Sequence, residues 1–187
     1  MNIRRSISIF FLAGMLTAGL YAAPVLTLAP GSGSLSGLPG TTVGWGLTLA
    51  NPTDFLVVTG ASFTPAPLTF FGSFEDYIST GPLIVVGPDP ESPVLSQDFD
   101  VAARTGVGAF HIAPTAAGSI SGAIVINYAL FSRSPNDPDF NPDTDLLVAD
   151  AALRAPATVS IVPEPATAVL WGLGALGLGL ISRKRGK

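Results

Sequence analysis

The run Asn136-Asp137-Pro138-Asp139-Phe140-Asn141-Pro142-Asp143-Thr144-Asp145 puts a side-chain oxygen at every second position from 137 to 145. Hard cations such as calcium take roughly six to eight oxygen ligands, and an alternating acidic loop is one way to supply them. Asp137, Asp139, Asn141, Asp143 and Asp145 are therefore candidate ligands for Ca2+. The stretch departs from a tight calcium loop at two points. It has no glycine where such a loop turns sharply, and Val148 stands where a bidentate glutamate belongs. Pro138 and Pro142 favour an extended course, so the competing reading is a solvated hairpin loop.

Other reactive groups are sparse. His111 is the single histidine, and in the stretch Phe110-His111-Ile112 it falls on the face opposite its two apolar neighbours, the place of a solvent-facing residue rather than a catalytic base. No Gly-x-Ser-x-Gly turn accompanies it. Glycoside hydrolysis needs two carboxyl groups at a set separation, and nothing in the sequence places any two of Glu75, Asp76, Glu91, Asp98 and Asp100 face to face. Cysteine is absent, which removes disulfides, thiol nucleophiles and thiolate metal sites. No enzyme is expected. Trp45 sits at alternating spacing and reads as a core residue. Phe70, Phe71, Phe74 and Tyr77 form the densest aromatic stretch and are the first place to look for stacking on a sugar ring, against core packing as the plainer role.

The elements that position these groups read as strands. Val43, Trp45, Leu47 and Leu49 alternate with small or polar residues, and Ile120, Gly122, Ile124, Ile126, Tyr128 and Leu130 do the same. Further candidates are 25–28, 55–63, 83–86, 94–99, 106–112, 146–153 and 158–162, with 155–162 either a last strand or a tether. A single helical turn is expected around Phe74 to Ile78. Between these runs lie Asn51-Pro52-Thr53-Asp54, Pro65-Ala66-Pro67, Gly87-Pro88-Asp89-Pro90 and Ala113-Pro114-Thr115, and the chain carries 21 glycines and 17 prolines. Seven to nine short strands with such turns predict a mainly β fold, an antiparallel sandwich of immunoglobulin-like type over 24–161.

Charge is segregated along the chain. Twelve acidic residues and only Arg104, Arg133 and Arg154 lie between Pro24 and Val162, a formal charge of -9 with no lysine. Nucleic acid is excluded as a partner, because phosphate binding needs a basic face.

Both ends read as addresses. Arg4 and Arg5, the apolar run from Ile7 to Leu20 and the small residues before Pro24 have the three parts of a secretory signal peptide over 1–23. Residues 162–187 combine Pro163-Glu164-Pro165, a charge-free stretch from Ala166 to Ile181 about 24 Å long as a helix, and a basic end. That length is marginal for a single membrane helix, and Arg183, Lys184 and Arg185 would hold its end on the cytoplasmic side. Pro163 and Pro165 keep the backbone before the helix extended, the form in which a processing protease binds its substrate.

In order and spacing, these residues resemble the Pro-Glu-Pro C-terminal sorting signal of Gram-negative exported proteins (PEP-CTERM), which is read by the membrane enzyme exosortase. The resemblance covers only about 25 residues and says nothing of the domain that is sorted. It implies passage through the export translocon, transient insertion in the inner membrane as a precursor, processing near Pro163, Glu164 and Pro165, and release or attachment at the cell surface, commonly beside exopolysaccharide. The expected function is a secreted, non-enzymatic surface or biofilm-matrix protein with a structural or adhesive role. The alternative is a carbohydrate- or calcium-binding module.

Overall fold

The computed structural model describes residues 23–51, 53–64, 68, 70–88 and 94–162. Among them are ten strands: β1 (Val25–Ala29), β2 (Ser34–Gly37), β3 (Thr42–Ala50), β4 (Phe55–Thr64), β5 (Gly72–Asp76), β6 (Ile84–Val86), β7 (Val94–Gln97), β8 (Gly108–Ile112), β9 (Gly118–Phe131) and β10 (Leu146–Ile161). One helical turn, α1 (Pro142–Asp145), interrupts the β9 to β10 connection. The fold is mainly β, as the alternation predicts.

Alternation in the sequence becomes burial in the structure. Trp45, Leu47 and Leu49 of β3 are fully buried, as are Ile124 and Ile126 of β9 and Val159 of β10. These side chains meet in one core between two five-stranded sheets, one built on β1-β3-β8-β5 with β7 also on β3, the other ordered β2-β10-β9-β4-β6. β3 is shared along its length: its first half pairs β8 and its second half pairs β7, while β1 occupies the other side. The rings of Trp45 and Phe63 stack at 5.7 Å across the sandwich, joined edge-on by Phe110.

Four features differ from the sequence reading. β2 and β10 are parallel, so the architecture is not wholly antiparallel. The chain crosses from one sheet to the other between Ala29 and Ser34, and β2 arrives running with β10. Residues 72–76 form a strand where a helical turn around Phe74 to Ile78 is expected, because pairing with β8 buries Phe74 inward while Glu75 points out. The short β2, too polar to stand out by itself, is held by its pairing with β10. Finally, the two candidate strands 146–153 and 158–162 are one 16-residue strand with irregularities near its start.

No helix among the described residues is long and apolar enough to cross a membrane. The expected signal peptide, apart from Ala23, and the sorting signal from Pro163 onward, including Arg183, Lys184 and Arg185, lie outside the described residues.

Candidate functional site

Three neighbouring strands of the first sheet bring a polar cluster onto its outer face. Thr42 on β3 and Ser73 on β5 are both cross-strand partners of His111 on β8, and Glu75 is the next outward residue along β5. Thr42 Oγ1 lies 3.0 Å from His111 Nδ1, and Glu75 Oε2 lies 3.0 Å from His111 Nε2. Arg104 then donates to the other Glu75 oxygen at 2.8 Å. The sequence places His111 on the solvent side, which the structure shows, but not its partners: Thr42, Glu75 and Arg104 come from three separate segments.

Arg104 is held by a flap. Between β7 and β8 the chain folds over the outer face, closed by paired backbone bonds between Asp100 and Thr105 and by Asp100 Oδ1, which accepts from the N–H groups of Ala102 and Ala103. Phe99 lies over Gly44, where any side chain would overlap its ring, and stacks on Tyr77 at 6.3 Å. The Arg104 guanidinium sits 4.6 Å above the Tyr77 ring. His111, and secondarily Arg104, hold the Glu75 carboxyl below the usual carboxylate range by hydrogen bonding to its charged form.

Thr42, His111 and Glu75 have the residue types of a nucleophile, base and orienting acid, set on three adjacent strands of one sheet face. What the arrangement provides is a half-exposed row of hydrogen-bonding groups on a flat face.

The acidic run between β9 and β10 is organised by Arg133. Its guanidinium stands 3.7 Å from Asp137, 3.8 Å from Asp139 and 3.9 Å from Asp145. The two oxygens that face Arg133 from Asp137 and Asp145 also accept from backbone, Asp137 Oδ1 from Asp139 N–H and Asp145 Oδ2 from Asn141 N–H, while Asn141 Oδ1 caps α1 through Asp143 N–H. Asp143 is exposed and outside the ion pairs. Among the described residues no three His, Asp or Glu side chains are grouped to hold a metal ion. A Ca2+ ion would have to enter against Arg133.

The aromatic stretch divides. Trp45 is core, its Nε1–H donating to Gly33 O at 2.8 Å. Tyr77 is buried under the flap and Phe74 packs on Trp45, while Phe70 is 85% exposed. Phe70 sits in the turn from Leu68 to Gly72, whose two ends line an open groove of about 460 Å³ between β4 and β5. Ser62, Ser73 and Phe74 also line it.

No family model matches the chain, and no curated protein does. Among solved structures it is similar to WR4, a member of the MSP family from C. elegans, at 10% identity and a TM-score of 0.35, covering 73% of this chain and 97% of that one. A PapD-like domain of human CEP192 gives 10% identity and a TM-score of 0.39 over 86% of this chain and 100% of that one. Overlap at those scores is too loose to transfer a topology, a site or an activity.

Proposed function

We propose that this is an exported, non-enzymatic surface or matrix protein, an immunoglobulin-like sandwich carried by an exosortase-type sorting signal. The observation that carries the reading is the order Pro163-Glu164-Pro165, apolar stretch, Arg183-Lys184-Arg185 behind an N-terminal signal peptide. The fold supports it at both ends. β1 starts at Val25, just past the expected signal peptide, and the last backbone bond among the described residues is Val162 N–H to Gly37 O at 2.9 Å, one residue before Pro163. Cleavage at either address would therefore leave every strand of the described residues intact. The domain's acidic, lysine-free composition suits a solvated outer surface and a structural or adhesive role.

Intact-mass measurement on protein from the native host tests this. A mass lacking residues before 23 or 24 and after the neighbourhood of Pro163 is expected. A cytoplasmic protein, or one that keeps the whole tail in the inner membrane, overturns the reading.

A carbohydrate-binding role is the second reading, and Phe70 favours it: a large aromatic side chain left 85% exposed beside a groove lined in part by Ser62 and Ser73. Titration with a glycan panel should show binding that Phe70→Ala removes. Silence across the panel leaves the structural role alone.

A further inference from the structure

The connections from β2 to β3, β4 to β5 and β8 to β9 meet at one end of the sandwich. Gly37 and Gly118 both face Ile161 across their ladders with β10, while Ile112 faces Gly72 and its carbonyl accepts from Gly40 N–H. Val162, where β10 runs out, lies at the same end through its bond to Gly37 O. Residues 37–42, 64–72 and 112–119 include no charged side chain. The acids gather elsewhere. The loop carrying Asp137, Asp139 and Asp145 follows β9 at the opposite end, where Phe131 is paired with both Leu146 and Phe55, and Asp54 immediately precedes Phe55. His111 and Glu75, on the strands of the charge-free end, face sideways from the first sheet.

That end also presents apolar side chains on closed turns. Phe70 is 85% exposed, Val162 45% and Leu38 43%. Leu38 O accepts from both the N–H and the hydroxyl of Thr41, and Leu68 O accepts from the N–H groups of Phe71 and Gly72. What lies beyond Val162 limits what this end can meet. Only residues 163–165 separate it from the apolar stretch that starts at Ala166. Those four steps of chain reach at most about 14 Å, against a headgroup layer about 5–8 Å deep on each side of a bilayer.

We infer that this charge-free end docks on the lipid surface while the tail is inserted, with Phe70, Leu38 and Val162 entering the headgroup layer. The inference rests on the sorting-signal reading, which supplies the inserted tail. The short tether brings the end to the bilayer, and anionic headgroups repel the acidic loop at the other end, so the domain stands with its charge-free end down. Docking fixes the height of Pro163, Glu164 and Pro165 at the membrane, within reach of a membrane-embedded protease. Three apolar side chains hold too weakly to keep the domain there alone. The tail supplies the high local concentration that makes the contact, and cutting it away releases the domain.

The absence of cysteine allows a polarity-sensitive fluorophore to be placed at one position at a time. Full-length chain is reconstituted into vesicles of phosphatidylethanolamine and phosphatidylglycerol. Thr115→Cys carries the label at the charge-free end, Asn136→Cys at the acidic end and Leu176→Cys in the apolar stretch, and Thr115 and Asn136 are both exposed. Emission at Thr115 should shift to the blue and be lost to a spin label on the lipid headgroups, while emission at Asn136 does neither. Emission at Leu176 should be lost to a spin label deep in the acyl chains. Phe70→Asp together with Leu38→Asp, both exposed positions, should restore emission at Thr115 and leave Leu176 quenched. Quenching at Leu176 with none at Thr115, or quenching at Thr115 that survives the double substitution, overturns the docking and leaves the sorting reading standing. Absence of quenching at Leu176 overturns both.

Discussion

Asp76 on β5 accepts a hydrogen bond from Ala61 N–H on β4 at 3.0 Å, and so ties one sheet to the other. Its second oxygen accepts from Ile78 N–H at 2.7 Å and Ser79 N–H at 3.3 Å, shaping the turn that follows. Hydrogen bonds to a charged acceptor contribute about 1.5–3 kcal/mol, and truncation also strands part-buried donors. Asp76→Ala should lower the unfolding free energy by about 2–4 kcal/mol in urea, and Asp76→Asn by less. A loss below about 0.5 kcal/mol would show that the clamp is dispensable.

Gly44 lies flat beneath the Phe99 ring, and a Cβ there would stand 2.5 Å from Gly108 O. Gly44→Ala must lift the flap and is expected to cost about 1–3 kcal/mol. Because the flap carries Arg104, the variant should also weaken the Arg104 to Glu75 bond, which loss of the Arg104 side-chain NMR signal shift would report.

Trp45→Phe keeps an aromatic ring in the core but removes the donor to Gly33 O. Gly33 O keeps its bond from Thr158 N–H at 3.0 Å, so the lost buried donor and the smaller ring together predict a loss of about 1–3 kcal/mol, measured by chemical denaturation.

Glu75 makes stability depend on pH. Its folded-state value is the lower one, so its contribution is complete above the unfolded glutamate's value of about 4.3 and is lost as pH falls through the folded value beneath it. The wild type should therefore be more stable than Glu75→Gln near neutrality, with the gap closing in acid. A gap that persists unchanged to the lowest pH at which the protein folds would contradict the assignment.

Arg133 occupies the centre a Ca2+ ion would need. Millimolar calcium should leave the wild-type melting temperature unchanged. Arg133→Ala, which loses half-exposed ion pairs worth at most about 1 kcal/mol, should gain a calcium-dependent rise because Asp137, Asp139 and Asp145 are released. A rise in the wild type would show that calcium displaces the guanidinium unaided.

Local pattern carried much of the fold. A strand's side chains alternate by geometry, so Val43 to Leu49 and Ile120 to Leu130 declare their buried faces without reference to anything else. β5 and β2 are different. Ser-Phe-Glu-Asp and Ser-Leu-Ser-Gly are strands only because β8 and β10 lie beside them, and partners distant in sequence leave no periodic trace. The acidic run shows a similar limit: its oxygen spacing is legible, but Arg133 lies outside the run and decides where the carboxylates turn.

By itself the sequence determined the mainly β class, the solvent side for His111, the core role of Trp45 and the charge balance, since composition and strand alternation are local properties. Tertiary structure decided the parallel entry of β2 and the meeting of Thr42, His111, Glu75 and Arg104. Each depends on which strands become neighbours, and that is settled by the packing of the two sheets over their common core.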